Sequence, residues 1–482
     1  MSTAKAETPS QALARFAVGV DLADVPAPVL QRAKLHILDA LGLGLASTVQ
    51  DYGVSVVAGV AAMQTPGACS VIGRSERFET RDAALVNAVL IHGLDFDDTH
   101  LASIIHPTCT SLPCALALSE ALGLGGGELL AAFLAGAEAG IRIGGAVKGG
   151  FHHVGYHATG VVSHFASAIT AGRLLGLSAD QITAAQGIAA STASGVQVFL
   201  EEGAWTKRFH PGWGAVAGIT AARLAQGGFK GPTRPYEGKF GLFATHLHGG
   251  VEAADLAELT DGLGQDWRFG DTALKPYPVC HFIHGCADAA IALHAQVRVE
   301  DIERVDAYLP QPTLHIVAEP AEAKERPATD YEAKFSAQFV VAACLVRGRF
   351  GLPDLLPEAL ADPACRALAL KVRCHADPDS AFPTFFSGGV AVTLKNGRVL
   401  RQHVRVNSGA GERTMDAEAV AAKFMASASL AISAAQAERI RDAVLALETI
   451  TGRDLAALLR QEEGLLSKSS PSDLIRGPSR RR

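Results

Sequence analysis

The chain has 482 residues, of which 48% are hydrophobic and 19% are charged, and its formal net charge at pH 7 is −6. The length predicts two domains with a large apolar core. The small negative charge argues against nucleic acid as a partner, and no long uncharged stretch predicts a membrane-spanning helix. Only the end of the chain, with four arginines between Arg476 and Arg482, is strongly basic, which predicts a frayed tail.

The eight cysteines form no CxxC pair, and no apolar signal segment follows the polar first ten residues. We therefore expect free thiols and a cytoplasmic location.

From about residue 11 to residue 265 the apolar pattern predicts helices almost throughout. The clearest helices are predicted at 30–45, 81–94, 111–122, 127–147, 161–175 and 179–194. Gly176 predicts the end of one helix, and Ser178 with Gln181 predicts a capping box that starts the next. These helices are rich in alanine and glycine, which favours close packing of buried helix on helix.

The pattern changes near Lys275. Alternating apolar residues predict strands at 305–309 and 368–374, and residues 389–401 predict a hairpin that turns at Asn396-Gly397. A helix is predicted at 335–347, and further helices at 416–426 and 434–448. The fold class predicted is mainly α, with a large all-helical domain from residues 1–268 and 407–482 and a smaller α+β lid domain from residues 269–406.

Six ionisable side chains lie close together in an otherwise apolar part of the chain: His92, Asp95, Asp97, Asp98, His100 and His106. If residues 81–99 form one helix, His92, Asp95 and Thr99 share a face. A helix cap or a solvated helix end explains any one of these acids. The whole group, however, predicts a proton-transfer or metal site, because neighbouring carboxylates raise each other's pKa unless cations lie nearby.

Three further segments combine unusual residues. Residues 149–160 place three histidines among glycines, with His157 at the start of the next helix, where anions are favoured. These histidines are ligands of a substrate, ligands of a metal, or plain loop residues, and their spacing matches no zinc pattern.

Residues 205–213 combine Lys207 with a second cation, a histidine and two tryptophans, and the alternative here is a basic surface turn. Residues 275–284 hold Lys275 and Tyr277 on backbone stiffened by two prolines. A rigid linker between the domains is the alternative to a ligand site there.

The segments LDFDDTH with HPT, GYHATG, TKRFHPGW, KPYPVCHFIH and KFSAQF resemble, in this order, the motifs of the MmgE/PrpD family. That family includes 2-methylcitrate dehydratase, cis-aconitate decarboxylase and iminodisuccinate epimerase. The resemblance spans about residues 10 to 460. It implies a large helical domain made from both ends of the chain, a small α+β lid from the middle, and a homodimer.

Carried over by position, the resemblance implies that Asp95, Thr99, His106, His157, Lys207 and Lys275 are active-site residues. Decarboxylases of the family have a histidine near the position where this chain has Cys280 followed by His281. This departure makes decarboxylation less expected than family membership alone suggests.

We therefore predict an enzyme, a cofactor-independent lyase that acts on a di- or tricarboxylic acid by proton transfer next to a carboxylate. Among the lyase reactions, we expect first a hydro-lyase that resembles 2-methylcitrate dehydratase. The predicted catalytic residues are Asp95, His106, His157 and Lys207. The predicted substrate-binding residues are Thr99, Lys275, Tyr277, Cys280 and His281. No metal ligand is assigned, and no nucleotide, Walker or iron–sulfur motif is found in the sequence.

Three alternatives stay open. The first is an epimerase or a decarboxylase of a related polycarboxylate. The second is a metal-dependent hydrolase or an ionising prenyl-type enzyme that binds a divalent metal ion through the acids and histidines of residues 92–100. The spacing of the acids does not match the DDxxD pattern of helical diphosphate enzymes, which weakens the prenyl-type version. The third is a protein that binds carboxylates without catalysis.

Overall fold

The structure is a computed structural model that describes residues 6–63 and 66–461. The arginine-rich segment predicted as a tail, 476–482, lies outside the described residues.

The first half of the chain is helical, as its apolar periodicity predicts. Twelve α-helices are described there: α1 Pro9–Gly19, α2 Ala27–Ser47, α3 Asp51–Ala61, α4 Thr80–His92, α5 Pro107–Leu122, α6 Gly126–Ala146, α7 Gly150–Val154, α8 Ala158–Leu174, α9 Ala179–Ala189, α10 Phe199–Glu202, α11 Thr206–Gln226 and α12 Leu242–His246. A two-stranded antiparallel sheet, β1 Pro66–Ser70 with β2 Arg77–Phe78, interrupts them.

The predicted boundary between α8 and α9 is confirmed. Gly176 has a positive φ of 66°, and the Ser178 side chain accepts from the Gln181 backbone while the Gln181 side chain accepts from the Ser178 backbone. The end predicted for α9, residue 194, is wrong, because the helix stops at Ala189 and the chain then turns.

Small residues bring α11 and α8 into close contact. A Cβ atom at Gly214 would lie 2.3 Å from the Ser163 side chain, and one at Gly218 would lie 2.5 Å from the Ala168 backbone. The two glycines are four residues apart and therefore lie on one face of α11. Because α11 begins at Thr206, this contact also fixes the position of its first turn, which contains Lys207.

The region after residue 280 contains both helices and strands. Its helices are α13 His284–His294, α14 Leu314–Val317, α15 Ala321–Glu325, α16 Asp330–Lys334, α17 Ala337–Arg347, α18 Pro357–Leu360 and α19 Pro363–Ala369. Its strands are β3 Ile302–Leu309, β4 Val372–Ala376, β5 Gly388–Leu394 and β6 Val399–Val404, which form one sheet in the order β4-β3-β5-β6. Strand β4 runs parallel to β3, and the other pairs are antiparallel.

The hairpin predicted at Asn396-Gly397 is formed by β5 and β6. The strand predicted at 368–374 is mostly wrong, since only its last three residues belong to β4. Asp362 caps the backbone N–H groups of Ala364 and Cys365, and Pro363 occupies the first turn, so helix α19 takes the residues up to Ala369.

The chain then returns to helix with α20 Ala417–Ala428, α21 Ala434–Leu445 and α22 Gly452–Leu459. Helix α20 packs along α2. One apolar core combines residues from 13–269 with residues from 424–459, and a second core combines Phe199 with residues from 279–400. The predicted fold class, mainly α with a smaller α+β part, is confirmed; the exact domain bounds stay a prediction.

Among the described residues, one helix is long and apolar enough to cross a membrane by length and composition. This helix is α6, and 94% of its apolar window is buried inside the structure, as is common for the core helix of a globular protein.

Candidate active site

The segment that follows α4 is not the helix that the sequence suggested. Helix α4 ends at His92, and Asp95 has a φ of 53°, in the left-handed region that side chains other than glycine seldom adopt. The idea that His92, Asp95 and Thr99 share one helical face is therefore wrong. Thr99 instead pairs its backbone with Ala273, with both N···O distances at 2.9 Å.

Cationic side chains donate hydrogen bonds to backbone carbonyls that would accept from backbone N–H groups if helix α4 continued. The carbonyl of Gly93 accepts from Arg208 Nε at 2.6 Å, and that of Asp95 accepts from Lys275 Nζ at 2.7 Å. The carbonyl of Phe96 accepts from Lys423 Nζ at 2.9 Å. These bonds stabilise an irregular backbone in a buried position, where every polar group needs a partner.

Asp95 brings the two predicted lysines together. Its Oδ1 accepts from Lys207 Nζ at 2.6 Å and lies 3.2 Å from Lys275 Nζ, and all three side chains are buried. Burial alone would raise the pKa of Asp95, but Lys207 and Lys275 outweigh it and hold that pKa well below its ordinary value. Burial likewise opposes the charge of Lys207, and the Asp95 carboxylate reverses this and raises the pKa of Lys207. Both groups are therefore charged at neutral pH.

The tautomer of His106 follows from its hydrogen bond. Its Nδ1 lies 2.7 Å from the backbone carbonyl of Asp98, which can only accept, so Nδ1 holds the hydrogen. Burial lowers the pKa of His106 well below its ordinary value, and Asp97 opposes this shift while His92 and the two lysines add to it. His106 is therefore neutral, and its Nε2, 4.0 Å from Asp95 Oδ1, has a free lone pair.

A buried network holds the Asp98 backbone in place. Asp98 Oδ2 accepts from Thr108 Oγ1 at 2.6 Å and from His36 Nδ1 at 2.7 Å, and the Arg32 guanidinium lies 3.1 Å from the other ring nitrogen of His36. The site residues border a cavity of about 80 Å³, described below, and neither Asp98 nor His36 lines it. They act on the site through the carbonyl that binds His106.

His157 is the N-cap residue of α8, where the sequence placed it. Its Nδ1 lies 3.1 Å from Nδ1 of His210, so one of the two imidazoles donates a hydrogen to the other. Burial lowers the pKa of His157 well below its ordinary value, and His210 and Lys207 lower it further. The ring also stacks on His92, whose Nδ1 lies 2.8 Å from the Asp97 carboxylate.

These side chains border a cavity of about 80 Å³. Its polar wall contains most of the predicted residues: Asp95, Thr99, His106, His157, Lys207, Lys275, Cys280 and His281. Thr99 Oγ1 and Asp95 Oδ2 are buried and have no hydrogen-bond partner in the described part of the chain, which leaves them for a bound ligand. His281 is fixed by Asn407 at 2.8 Å, and burial raises the pKa of the Cys280 thiol, which is therefore protonated.

Tyr277 is the exception among the predicted residues. Its hydroxyl donates to Asp288 Oδ1 at 2.7 Å, and Tyr277 is not part of the cavity wall. Asp288 also accepts from the Ser408 backbone and from Arg413, so Tyr277 belongs to a structural network between α13 and the segment that leads back to the helical part. The prediction that Tyr277 binds substrate does not agree with this geometry.

The apolar part of the cavity wall was not predicted from the sequence. It is formed mainly by apolar side chains: Ile104, Phe199, Leu200, Phe282, Ile316, Phe335 and Phe386. Phe282 and Phe335 lie within the motifs KPYPVCHFIH and KFSAQF, but as apolar residues all of them look like ordinary core positions in the sequence. His152 and Gln197 complete the wall, and only the glycine-rich context of His152 hinted at its role.

The histidine and acid cluster also raises the question of a metal. His92, His106 and His157 each offer a ligand atom, and these atoms lie within 4.8 Å of one another. The rings of His92 and His157 are stacked at an angle of 16°, so their in-plane lone pairs do not meet at one point. A second group combines Asp95, Asp97 and His106, but Asp95 already binds two ammonium groups that would repel a cation. These two groups therefore fit a divalent ion poorly.

The site thus combines a buried carboxylate, two lysines and a neutral imidazole, and such groups can stabilise an anion and accept a proton. The chain belongs to the MmgE/PrpD family. Its residues 11–254 match the sequence profile of the family's N-terminal domain, and residues 277–449 match that of the C-terminal domain. The resemblance of the motifs is thus confirmed.

The chain is also similar over most of its length to known enzymes. It is 29% identical to a cis-aconitate decarboxylase-like protein of Aspergillus oryzae, over 92% of this chain and 95% of that protein. It is 29% identical to the cis-aconitate decarboxylase of Homo sapiens, over 94% of this chain and 91% of that protein. It is 23% identical to the mitochondrial 2-methylcitrate dehydratase of Yarrowia lipolytica, over 80% of this chain and 76% of that protein. Because these named activities are lyases, the prediction of a lyase is confirmed at the level of enzyme class.

Proposed function

We propose that the protein is a cofactor-independent lyase for a small di- or tricarboxylate, and that it removes water by abstracting a proton from the carbon next to a carboxylate. The observation that supports this most directly is the pairing of Asp95 with Lys207 and Lys275 opposite a neutral His106. Asp95, Lys207 and Lys275 together have one net positive charge for a substrate carboxylate, and the His106 imidazole supplies a base.

The base is the free Nε2 of His106. It takes the proton from the substrate carbon, and the electron pair of that C–H bond moves toward the adjacent carboxylate to give an enolate-like species. Lys207 and Lys275 stabilise the negative charge that grows on the carboxylate oxygens. The electrons then form a C=C bond as the hydroxyl on the next carbon leaves, and the His106 imidazolium returns its proton to that hydroxyl, so that water is released.

The buried site makes these charges effective. Ammonium groups in a closed cavity act through a lower dielectric than groups in water, and their positions are set before the substrate binds. Asp95 keeps Lys207 charged, which burial alone would oppose, and it binds Lys275 at 3.2 Å. In this interpretation Asp95 is a positioning residue for the lysines, Thr99 hydrogen-bonds the substrate through its unpartnered hydroxyl, and His157 holds a further substrate oxygen.

Replacing Lys207 by alanine tests the proposal. We expect turnover to fall by about a hundred- to a thousandfold, the usual effect of losing one group that stabilises an oxyanion. Lys239→Ala is the matched control, because Lys239 is exposed and is not part of the cavity wall. Near-normal turnover of a folded Lys207→Ala protein would remove Lys207 from the mechanism.

A carboxy-lyase is the second candidate, favoured by the similarity to decarboxylases over more than nine tenths of the chain. Loss of CO₂ creates the same enolate without a base, so it requires the lysines but not the lone pair of His106. Proton NMR of the purified protein with a panel of di- and tricarboxylates in D₂O separates the reactions. Water loss, CO₂ loss and deuterium exchange at carbon give different spectra, and binding without any of the three would show a non-catalytic protein.

We also propose a homodimer in the cytoplasm, on the basis of the family resemblance and the free cysteines. Sedimentation velocity of the purified protein tests the first, and fractionation of the native host tests the second.

A further inference from the structure

A third lysine reaches the loop after α4, and it comes from the last part of the chain. Lys423 lies on helix α20, and its side chain is 7% exposed. Its Nζ donates to the backbone carbonyl of Phe96 at 2.9 Å and lies 3.8 Å from the centre of the Phe96 ring. Lys423 does not line the cavity that Lys207 and Lys275 border, so its contact is with the backbone of the site.

The Phe96 carbonyl lies between two acids of the site. Asp95 precedes it, with a φ of 53° and both wall lysines on its carboxylate, and Asp97 follows it and binds His92 at 2.8 Å. The peptide unit is planar and rigid, so turning this carbonyl rotates the backbone on both sides of it. A group that fixes the carbonyl therefore also fixes the direction of the Asp95 side chain.

Asp39 of helix α2 holds Lys423 in place. Its Oδ1 and Oδ2 lie 2.9 and 3.0 Å from Lys423 Nζ, and its side chain is 2% exposed. Burial lowers the pKa of Lys423, and Asp39 opposes this shift. Burial also raises the pKa of Asp39 to about 6, and Lys423 opposes that shift. Both groups are therefore charged at pH 8, and Asp39, like Lys423, does not line the cavity.

Stability alone does not explain a charged pair in this position. Two apolar side chains of similar size stabilise a fold as well as a buried ion pair does, or better, because no charge is desolvated. Apolar side chains, however, could not donate to the Phe96 carbonyl. The contact that only the ammonium group provides is thus the one with the loop of the site.

We propose that Lys423 is a positioning residue of the active site, held by Asp39, and that it sets the backbone from which Asp95 binds Lys207 and Lys275. For its effect on turnover this inference rests on the proposed function. For the position of the backbone it does not.

Three variants test the proposal. Lys423→Met keeps an unbranched side chain and removes the ammonium group, and Asp39→Asn/Lys423→Met removes both charges of the pair. Lys34→Met is the matched control, because Lys34 also joins α2 to the C-terminal part, through Glu448 at 3.0 Å, but lies outside the cavity wall and is partly exposed.

Three measurements are made on each variant at pH 8. Hydrogen exchange of the peptide that covers residues 93–99, read by mass spectrometry, reports the opening of the loop, where the amides of Asp95 and Thr99 donate to the carbonyls of His92 and Ala273. Urea unfolding gives the unfolding free energy. The kcat is measured with the acid that the NMR panel shows to be turned over.

We expect exchange in residues 93–99 to be about ten- to a hundredfold faster in Lys423→Met, the usual effect of losing a hydrogen bond from a charged donor. The kcat should fall by a similar factor, because the displaced Asp95 no longer holds the wall lysines in their productive positions. The pair variant should recover unfolding free energy relative to Lys423→Met, since no buried charge is left unpaired, but its exchange should stay fast and its kcat low. Lys34→Met should match the wild-type protein in exchange and in kcat.

A pair variant that regains wild-type exchange and kcat together with stability would overturn the proposal, since Lys423 would then act only on the stability of the fold. This variant provides the test even if Lys423→Met alone does not fold. If the wild-type protein turns over no acid but exchange depends on Lys423, the proposed function fails and the positioning of the loop stands. If an acid is turned over and neither variant changes exchange or kcat, the positioning role fails and the function stands.

Discussion

Asp95 is the carboxylate on which both buried lysines depend. Among the described residues it is the ion-pair partner of Lys207, at 2.6 Å, and of Lys275, at 3.2 Å. The substitution Asp95→Asn keeps the size of the side chain and removes its charge. Two ammonium groups within about 3 Å of one atom are then left buried without a counter-ion.

The expected loss of unfolding free energy in Asp95→Asn follows from this geometry. Removing one partner of a buried ion pair costs about 3–5 kcal/mol, mostly because the remaining charge is desolvated. We expect a loss of unfolding free energy in this range at pH 7 and a fall in turnover of at least about a hundredfold, since one lysine is expected to lose its proton and the other its position.

The pH dependence of the loss gives a second test. In the wild-type protein the pKa of Lys207 is raised, against the effect of burial, by Asp95, so the pair stabilises the fold below the ordinary lysine pKa of about 10.4. Without Asp95, burial lowers the pKa of Lys207, and the folded state is penalised wherever the unfolded chain binds more protons. The stability difference between the two proteins should therefore shrink as pH rises from 7 toward 10.

Urea unfolding at several pH values measures this difference, with Asp330→Asn as the control. Asp330 is the ion-pair partner of Lys334, another buried lysine, at 3.1 Å. Neither residue lines the cavity of about 80 Å³ beside Asp95. We expect the control to lose stability and to keep its turnover. Full activity and unchanged stability of Asp95→Asn would refute the view that Asp95 holds the lysines charged and in place.

Three further predictions follow from the site. Tyr277→Phe should lower the unfolding free energy by about 1–2 kcal/mol, because it leaves the buried Asp288 with one bond fewer, and should leave KM unchanged; a raised KM would return Tyr277 to the substrate. Stability should fall as pH drops below about 6.5, because burial lowers the pKa of His36, His106 and His157, so the unfolded chain binds more protons; a urea midpoint that is flat between pH 7 and 5 would contradict this. Dialysis against EDTA should leave turnover intact, and a loss that Zn²⁺ or Mg²⁺ restores would favour the metal-dependent alternative.

Much of this protein could be predicted from local patterns. The apolar period marks α4, α5, α6 and α8, the capping residues mark the start of α9, and the Asn396-Gly397 turn marks the β5–β6 hairpin. Charged and imidazole residues in apolar surroundings mark most of the polar wall, because few structural roles need them there. Each of these signals lies within about ten residues and depends on chain geometry or on the cost of burying charge.

Other features depend on contacts between distant segments, which no local pattern contains. Residues 93–98 leave the helix because Arg208, Lys275 and Lys423 bind their carbonyls, and Asp95 adopts its left-handed backbone among them. The tautomer of His106 depends on the backbone carbonyl of Asp98, and the side chain of Asp98 is bound by His36, which lies 62 residues earlier in the chain.

The apolar part of the cavity wall was likewise invisible in the sequence, since an apolar residue beside a ligand looks the same as one in a core. The sequence by itself determined most of the helices, the β5–β6 hairpin, and which residue types are available for chemistry. The tertiary structure alone decided their charge states and directions, because these depend on burial and on partners between 60 and 330 residues away along the chain.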